Sequence, residues 1–401
     1  MRGRGGTAGK AGVVRNMAYD FNEAINRRGT GSLKWNVGEK ELPMWVADMD
    51  FRAAPEILEA LQARLEHGIF GYSVLPDEWY EAYIGWWERR HGFRMEREWL
   101  SFCTGVVPAI SSIVRKLTTP NENVLIQTPV YNIFFNSIVN NGCRVLENPL
   151  RYENGVYSVD FEDLERKLSD PQTTLMILCN PHNPVGKIWD REALGRIGEL
   201  CKQHHVAVVA DEIHCDLTEP GRGYVPFASV SETCRDIAIT CIAPTKAFNL
   251  AGMQTAAVSV ADPALRHRVF RGLNTDEVAE PNALAVPAAV AAFTRGGPWL
   301  DALREHISVN RRRVDAFLRA ELPRFHLVPS EATYLLWIDL GMPATEFCAF
   351  LRKETGLFVT RGGAYGATGE NFIRMNIACT GATLEDGLQR LKRGAVLWDA
   401  R

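Results

Sequence analysis

The sequence of 401 residues lacks the features that mark membrane and nucleic-acid-binding proteins. It has no run of roughly 18 to 20 apolar residues, the length that spans a bilayer; the apolar stretch 283–293 is shorter and is interrupted by Pro287. It has no basic excess, because 45 Lys and Arg residues face 48 Asp and Glu residues. We therefore expect no membrane span, no nucleic-acid partner and no anionic membrane surface.

The cysteine pattern gives no sign of a disulfide framework or a zinc site. There are nine cysteines, an odd number, and they form no Cys-x-x-Cys pair and lie mostly in apolar runs. This pattern predicts buried free thiols in a reducing compartment, and so a cytoplasmic protein without bound metal. Residues 1–16 are basic and Gly-rich but lack the apolar core of a secretory signal. We interpret them as a disordered leader, or as sequence upstream of a start at Met17.

The composition is that of a globular protein, with 46% hydrophobic and 23% charged residues and no internal repeat. The length predicts about two to three domains. From about Arg52 onward, short apolar runs alternate with amphipathic stretches, a pattern that predicts an α/β fold with helices on both faces of a sheet. The predicted strands are 123–127, 144–146, 174–179, 207–210, 237–242 and 256–260. The predicted helices include 107–116, 161–168 and 191–204, the last capped by Asp190.

A second, smaller α/β unit is predicted after a break near residue 295. The sequence Arg-Gly-Gly-Pro at 295–298 interrupts the pattern, and a long amphipathic run follows over 299–320. Two further strands are predicted at 334–338 and 372–377. The break divides the chain into a larger and a smaller part.

Polar residues follow three successive predicted strands. Asn183 lies in NPHNPVG (180–186), Asp211 begins DEIH (211–214), and Lys246 is the only charged residue between Asp236 and Asp262. Ligands of open parallel sheets bind beyond the carboxyl ends of strands, and a lysine in apolar surroundings has a nucleophilic amine. Taken singly, each has a structural alternative: a Pro/Asn turn, a helix N-cap and a lysine whose amine reaches solvent. His214 alone is more often a core histidine.

Three further features could bind a ligand. Gly105, Val106 and Val107 lie at an apparent helix start, where free backbone N–H groups can bind a phosphate, although the spacing fits no known nucleotide fingerprint. Tyr131 offers a flat ring at the same sheet edge, or else packs in the core. Arg374 lies in an otherwise apolar strand and must be paired, either with a protein carboxylate or with a substrate carboxylate.

In combination these residues resemble the fold-type I pyridoxal 5'-phosphate (PLP) enzymes of the class I/II aminotransferase superfamily. The likeness extends over essentially the whole chain after Met17 and is nearest to the carbon-sulfur β-lyases of the MalY/PatB type, the cystathionine β-lyase branch. The motifs that carry it are LPMWVADMDF (42–51), HGIFGY (67–72), NPHNPVG, DEIH, and the lysine segment with NLAGMQ (249–254).

The resemblance implies a role for each candidate residue. Lys246 would hold PLP covalently and act as the catalytic base, Asp211 would pair with the ring nitrogen, and Asn183 would donate to the ring's 3'-oxygen. The other cofactor contacts implied are a stacked Tyr131, phosphate contacts from Gly105, Val106, Val107 and Thr245, a contact from His214, and Tyr72 reaching the phosphate of the neighbouring subunit. The substrate contacts implied are Arg374, which would bind the α-carboxylate, with Trp45, Ala47 and Asn183.

The resemblance also implies a domain plan and a homodimer whose active sites are shared between subunits. An N-terminal segment (17–51) would pack with the small domain, followed by a large PLP-binding domain (52–295) with a mostly parallel seven-stranded sheet, and a small C-terminal domain (296–401). Tyr72 would belong to the site of the other subunit. We therefore expect an obligate dimer.

The expected activity is β-elimination of an amino-acid thioether, such as L-cystathionine, to a thiol, pyruvate and ammonia. Aminotransferases usually carry Arg eight residues after the lysine and Tyr three after the aspartate; here Gln254 and His214 occupy these positions, as in the lyase branch. Ala243 replaces a frequent Ser, which leaves phosphate binding to Thr245 and backbone amides. An aminotransferase is the alternative, and a regulatory binding protein with the same fold is the third.

Overall fold

The structure is a computed structural model that describes residues 19–401, so the leader predicted for residues 1–16 lies outside the described residues. The α-helices of the described chain are α1 (Pro55–His67), α2 (Asp77–His91), α3 (Val106–Leu117), α4 (Ile133–Val139), α5 (Phe161–Leu168), α6 (Arg191–Gln203), α7 (Glu232–Ile237), α8 (Pro263–Thr275), α9 (Ala285–Arg295), α10 (Gly297–Glu321), α11 (Ala344–Thr355) and α12 (Gly381–Asp399).

Most of the strands are short and belong to one of two larger sheets. They are β1 (Leu42–Pro43), β2 (Leu100–Cys103), β3 (Asn123–Ile126), β4 (Arg144–Glu147), β5 (Arg151–Glu153), β6 (Val156–Ser158), β7 (Thr173–Cys179), β8 (Ala207–Asp211), β9 (Ala238–Ile242), β10 (Ala256–Ser259), β11 (His326–Leu327), β12 (Leu335–Asp339), β13 (Leu357–Phe358), β14 (Thr360–Arg361) and β15 (Phe372–Asn376).

The larger sheet has seven strands in the order β2-β10-β9-β8-β7-β3-β4. Only β10 runs antiparallel to its neighbours, and the other pairs are parallel. Side chains of β7 alternate between the two faces: Met176 packs with residues of α5 and α6, whereas Ile177 packs with residues of α3. Both faces are thus covered by helices, and the predicted α/β class with a mostly parallel sheet is confirmed.

Local sequence determines where the covering helices begin. Asp190 accepts a hydrogen bond from the backbone N–H of Ala193 at 2.8 Å and so caps α6, as the sequence predicts. Such a cap contributes about 1 kcal/mol. By contrast, the residue that precedes α3 is Gly105, which has no capping side chain, and the first N–H groups of α3 remain available to a ligand.

The second sheet has four antiparallel strands in the order β11-β12-β15-β14. Strand β1 pairs in parallel with β13, which joins residues near Leu42 to the C-terminal part of the chain. The domain limits near residues 51 and 295 stay predictions. Among residues 19–401, no helix is long and apolar enough to cross a membrane.

Candidate active site

The carboxyl ends of three adjacent strands bring the predicted residues together. In the strand register Cys179 of β7 is the partner of Asp211 in β8, which in turn pairs with Cys241 of β9. The loops after these strands converge on a cavity of about 270 Å³. Its lining consists of Ala47, Thr104, Gly105, Val106, Val107, Pro108, Tyr131, Cys179, Asn183, Asp211, Ile213, His214, Lys246, Ala251 and Gln254.

Asp211 is a buried carboxyl group at the end of β8. Burial raises its pKa from 3.8 to about 7, against the opposing effects of the Ile213 backbone N–H and the Lys246 amine. The Ile213 N–H donates to Asp211 Oδ1 at 3.1 Å. The site therefore contains a carboxylate that a cationic partner would stabilise in its ionised form.

Lys246 places its amine in the same cavity, and Nζ donates to the carbonyl oxygen of Ala47 at 2.7 Å. Burial and, to a smaller extent, the nearby Arg374 cation together lower the pKa of this amine to about 8, whereas Asp48 and Asp211 act in the opposite direction. The neutral form of this amine is thus far more accessible near neutral pH than it is for an ordinary lysine. A neutral amine can act as a nucleophile or as a base.

Arg374 lies beside the cavity in β15 and is bound to two oxygen atoms that carry no charge. One terminal nitrogen donates to Asn183 Oδ1 at 3.1 Å and the other to the carbonyl of Trp45 at 3.0 Å. The guanidinium also stands 4.8 Å from the centre of the Tyr365 ring. Its buried Nε has no hydrogen-bond partner in the described part of the chain. The positive charge is thus free to attract a carboxylate ligand.

The start of α3 forms one wall of the cavity through Gly105, Val106 and Val107. The free N–H groups of a helix start, together with the positive end of the helix dipole, attract anions. Gln254 also lines the cavity and has a left-handed backbone with φ 49°. The arrangement suits a phosphate group that is bound by backbone amides without an arginine.

Two aromatic side chains in the lining are held uncharged by burial. Burial raises the pKa of Tyr131 to about 12, and the ring of Tyr131 meets Phe134 edge-on at 5.7 Å. Burial, and to a smaller extent the charges of Lys246 and Arg374, lower the pKa of His214 to about 3. The Nδ1 atom of His214 is buried without a partner among the described residues. Neither residue brings a charge to the cavity at neutral pH.

Four predicted site residues lie outside this cavity lining: Arg374, which stands beside it, and Thr245, Trp45 and Tyr72. Thr245 is buried directly before Lys246, and the Trp45 side chain stacks on Phe358 at 4.8 Å while only its carbonyl reaches Arg374. Tyr72 is fully exposed in the connection between α1 and α2. In a single chain, Tyr72 does not contribute to the cavity.

The segment 42–51 crosses the site and is held from both sides by asparagine side chains. Asn249 of the lysine loop accepts from the N–H of Met49 at 3.0 Å and donates to the carbonyls of Met49 and Phe51. Asn376 of β15 donates to the carbonyls of Val46 and Asp48, each at 2.6 Å. These bonds fix the backbone that carries Ala47.

Comparison with known proteins agrees with this geometry. Residues 42–391 match the family model "Aminotransferase class I and II". The chain belongs to this family. It is 45% identical to cystathionine beta-lyase PatB of Bacillus subtilis, over 93% of this chain and 99% of that protein.

Two solved structures resemble this class I and II aminotransferase family member along nearly its whole length. The structure of cystalysin from Treponema denticola, which contains a pyridoxal 5'-phosphate cofactor, has a TM-score of 0.92 and 32% identity, with 96% of this chain and 100% of that chain covered. The PLP-bound C-S lyase from Staphylococcus hominis has a TM-score of 0.89 and 33% identity, with 94% and 98% covered. The resemblance to the MalY/PatB branch is confirmed.

Some lining residues of this family member were missed in the sequence. Cys179, Ile213 and Ala251 line the cavity, and Tyr334 reaches it through the Ala47 carbonyl. Cys179 could have been found, because it is the last residue of a predicted strand that neighbours Asp211. Tyr334 has no such marker, since a tyrosine at the start of an apolar strand is ordinarily a core residue.

Proposed function

We propose that this chain is a PLP-dependent carbon-sulfur β-lyase. It cleaves the Cβ–S bond of L-cystathionine or a related cysteine S-conjugate and gives a thiol, pyruvate and ammonia. The observation that carries the proposal is that the Asp211 carboxyl and the Lys246 amine line the same cavity, with Arg374 beside it. The 45% identity to a cystathionine β-lyase supports the choice of reaction.

The residues of the cavity fit PLP. Asp211, a buried carboxyl with a pKa raised to about 7, would pair with the ring nitrogen and keep it protonated. Arg374 donates to Asn183 Oδ1, which leaves the Asn183 Nδ2 as the donor for the ring's 3'-oxygen. Lys246 would hold the cofactor covalently.

The remaining cofactor contacts follow from the shape of the cavity. The amides at the start of α3 would bind the phosphate, with Gln254 beside them. Tyr131 would stack on the ring, and Thr245 would add a phosphate contact. The neutral His214 would pack near the cofactor without competing with Asp211 for the proton of the ring nitrogen.

When bound, PLP supplies an electron sink that stabilises negative charge at the substrate's Cα. Arg374 orients the substrate by binding its α-carboxylate through a two-pronged hydrogen bond. Lys246 Nζ accepts the Cα proton, for which its amine must be neutral, and the pKa of about 8 provides that form near neutral pH. Loss of the thiolate from Cβ and addition of one water give, for L-cystathionine, homocysteine, pyruvate and ammonia.

The test is incubation of the purified protein with PLP and L-cystathionine, without a keto acid, while pyruvate and free thiol are measured. Equal amounts of the two products support β-elimination. Lys246→Ala should lose both turnover and the cofactor absorbance near the visible region, whereas Lys202→Ala on the surface of α6 serves as the matched control. Strict dependence of turnover on an added keto acid would refute the lyase and favour the aminotransferase alternative.

We propose further that the enzyme is a cytoplasmic homodimer with shared active sites. The exposed apolar residues Ile69, Phe70 and Val74 surround the fully exposed Tyr72, which supports a subunit contact in this segment. All nine cysteines are free and eight are buried, which supports a reducing compartment. Tyr72 would contact the phosphate of the other subunit.

Mixed dimers test the shared site. Lys246→Ala and Tyr72→Ala homodimers should each be nearly inactive, but a hybrid dimer has one site with both native residues. Random mixing should therefore restore about one quarter of the native sites. Sedimentation of the native protein as a monomer, or no recovery of activity in hybrids isolated with two affinity tags, would contradict this arrangement.

A further inference from the structure

The carbonyl of Ala47 accepts two hydrogen bonds in the site. Lys246 Nζ donates to it at 2.7 Å, and the hydroxyl of Tyr334 donates to it at 3.1 Å. Tyr334 is only 1% exposed. One backbone oxygen thus connects a buried phenol to the amine that is to remove the proton from Cα.

Two asparagine side chains hold the backbone around this carbonyl. Asn376 binds the carbonyls of the two residues that flank Ala47, and Asn249 binds the backbone at Met49. The backbone of Tyr334 is fixed as well, because its carbonyl accepts from the N–H of Ile377 at 2.9 Å. The two backbone segments that carry the phenol and the carbonyl are therefore each held in place by hydrogen bonds.

We propose that Tyr334 is a positioning residue that, through the Ala47 carbonyl, orients the free amine of Lys246 and favours its neutral form. The proposal rests on the proposed function for the catalytic use of this amine. A carbonyl oxygen binds an ammonium group more strongly than a neutral amine, since the charged donor makes the stronger hydrogen bond. The phenol occupies part of the acceptor capacity of this oxygen and so weakens that preference.

The charged and titratable groups around the pair leave the phenol neutral. The Lys246 amine has four charged or titratable neighbours: Arg374, Asp48, Asp211 and His214. Three of them, Arg374, Asp48 and His214, are also neighbours of Tyr334. Burial raises the pKa of Tyr334 far above its ordinary value, with Asp48 adding to the effect and Arg374 opposing it. The hydroxyl hence remains a donor over the whole working pH range.

The test compares Tyr334→Phe, which keeps the buried ring, with Tyr83→Phe as the matched control. Tyr83 is equally buried but packs on Trp79 and Phe293 in α2 and α9, outside the site. The Lys246 amine is titrated by NMR in the full chain without added PLP, with lysine labelled at Cε and the signal assigned by Lys246→Arg. The pH profiles of kcat and KM are measured separately with PLP and L-cystathionine.

Tyr334→Phe should raise the pKa of Lys246, because the carbonyl then serves the ammonium form alone. The acidic limb of the kcat profile should move to higher pH, and kcat at neutral pH should fall about fivefold, the ordinary effect of losing one hydrogen bond, with little change in KM. Tyr83→Phe should leave the Lys246 titration and both kinetic constants unchanged.

An unchanged Lys246 titration in a folded Tyr334→Phe protein, checked by thermal unfolding, would overturn the proposal even if activity fell. An equal shift of the Lys246 pKa in Tyr83→Phe would also overturn it. If the native protein has no lyase activity but Tyr334→Phe still raises the Lys246 pKa, the positioning role stands and the proposed function fails.

Discussion

Replacement of Asn249 tests whether one side chain holds segment 42–51 over the active site. Asn249 makes three hydrogen bonds to the backbone of Met49 and Phe51, at 2.9 to 3.1 Å. It also has a left-handed backbone, with φ 57°. Two variants separate these features: Asn249→Gly loses the hydrogen bonds without backbone strain, and Asn249→Ala loses them and adds strain.

The magnitudes follow from the two contributions. Three partly buried hydrogen bonds at about 1 kcal/mol each, discounted for water that replaces some of them, give a loss of about 2 kcal/mol for Asn249→Gly. A left-handed alanine costs about 1 kcal/mol more. For a chain of 401 residues the thermal midpoint should thus fall by about 2 °C in Asn249→Gly and by about 1 °C further in Asn249→Ala.

Calorimetry and kinetics together measure the effect. The backbone carbonyls of Trp45 and Ala47, which bind Arg374 and Lys246, lie in the released segment. We therefore expect KM for L-cystathionine to rise and kcat to fall in both variants. Asn154, with φ 51° in the exposed β5–β6 turn, provides the control pair, in which only the strain of Ala relative to Gly should appear. An Asn249→Gly variant with the native thermal midpoint and the native KM would refute the role given to Asn249.

Two further predictions concern the charges of the site. The folded-state pKa of Asp211 is about 7 and the ordinary value is 3.8, so the folded chain without PLP keeps a proton that the unfolded chain releases, and stability falls as pH rises from about 4 to about 7. Asp211→Asn should accordingly stabilise that chain at pH 8, by up to about 4 kcal/mol, but not at pH 4, while turnover is lost. Equal unfolding midpoints of the two proteins at pH 8 would contradict the burial effect. Arg374→Lys keeps the charge but loses the two-pronged geometry, so KM for L-cystathionine should rise about tenfold with a smaller change in kcat, and an unchanged KM in steady-state assays would exclude Arg374 as the carboxylate contact.

The sequence was sufficient to predict the main sheet because its strands are buried on both faces. Continuous apolar runs such as 174–179 and 207–210 have few alternatives to a central parallel strand, and the structure places them at Thr173–Cys179 and Ala207–Asp211. The antiparallel direction of β10 is different. Its sequence, Ala-Ala-Val-Ser, is as apolar as that of a parallel strand, and direction is decided by the connections on either side rather than by the strand itself.

The sequence identified those candidate site residues whose type is unusual for their surroundings. It did not identify those that reach the site only through tertiary packing. Lys246, Asp211 and Arg374 are charged residues in apolar surroundings, a combination that costs free energy and therefore indicates a ligand or a partner. The role of segment 42–51 could not be predicted from spacing, because its contacts with Asn249 and Asn376 join residues about 200 and 330 positions apart. A backbone carbonyl such as that of Ala47 has no residue type to mark it.

The buried charged side chains of the site are positioned so that a ligand can supply an oppositely charged partner to each. Arg374 is held by neutral oxygens and Asp211 by one backbone N–H, so each retains its charge interaction for a partner from outside the protein chain. A protein ion pair between them would stabilise the empty fold but would compete with both ligands. Asn183 accepts from Arg374 through its Oδ1, which leaves its Nδ2 as a donor for the proposed contact with the cofactor. Loss of this amide should therefore affect substrate and cofactor binding together, whereas loss of Asp211 should affect the cofactor first.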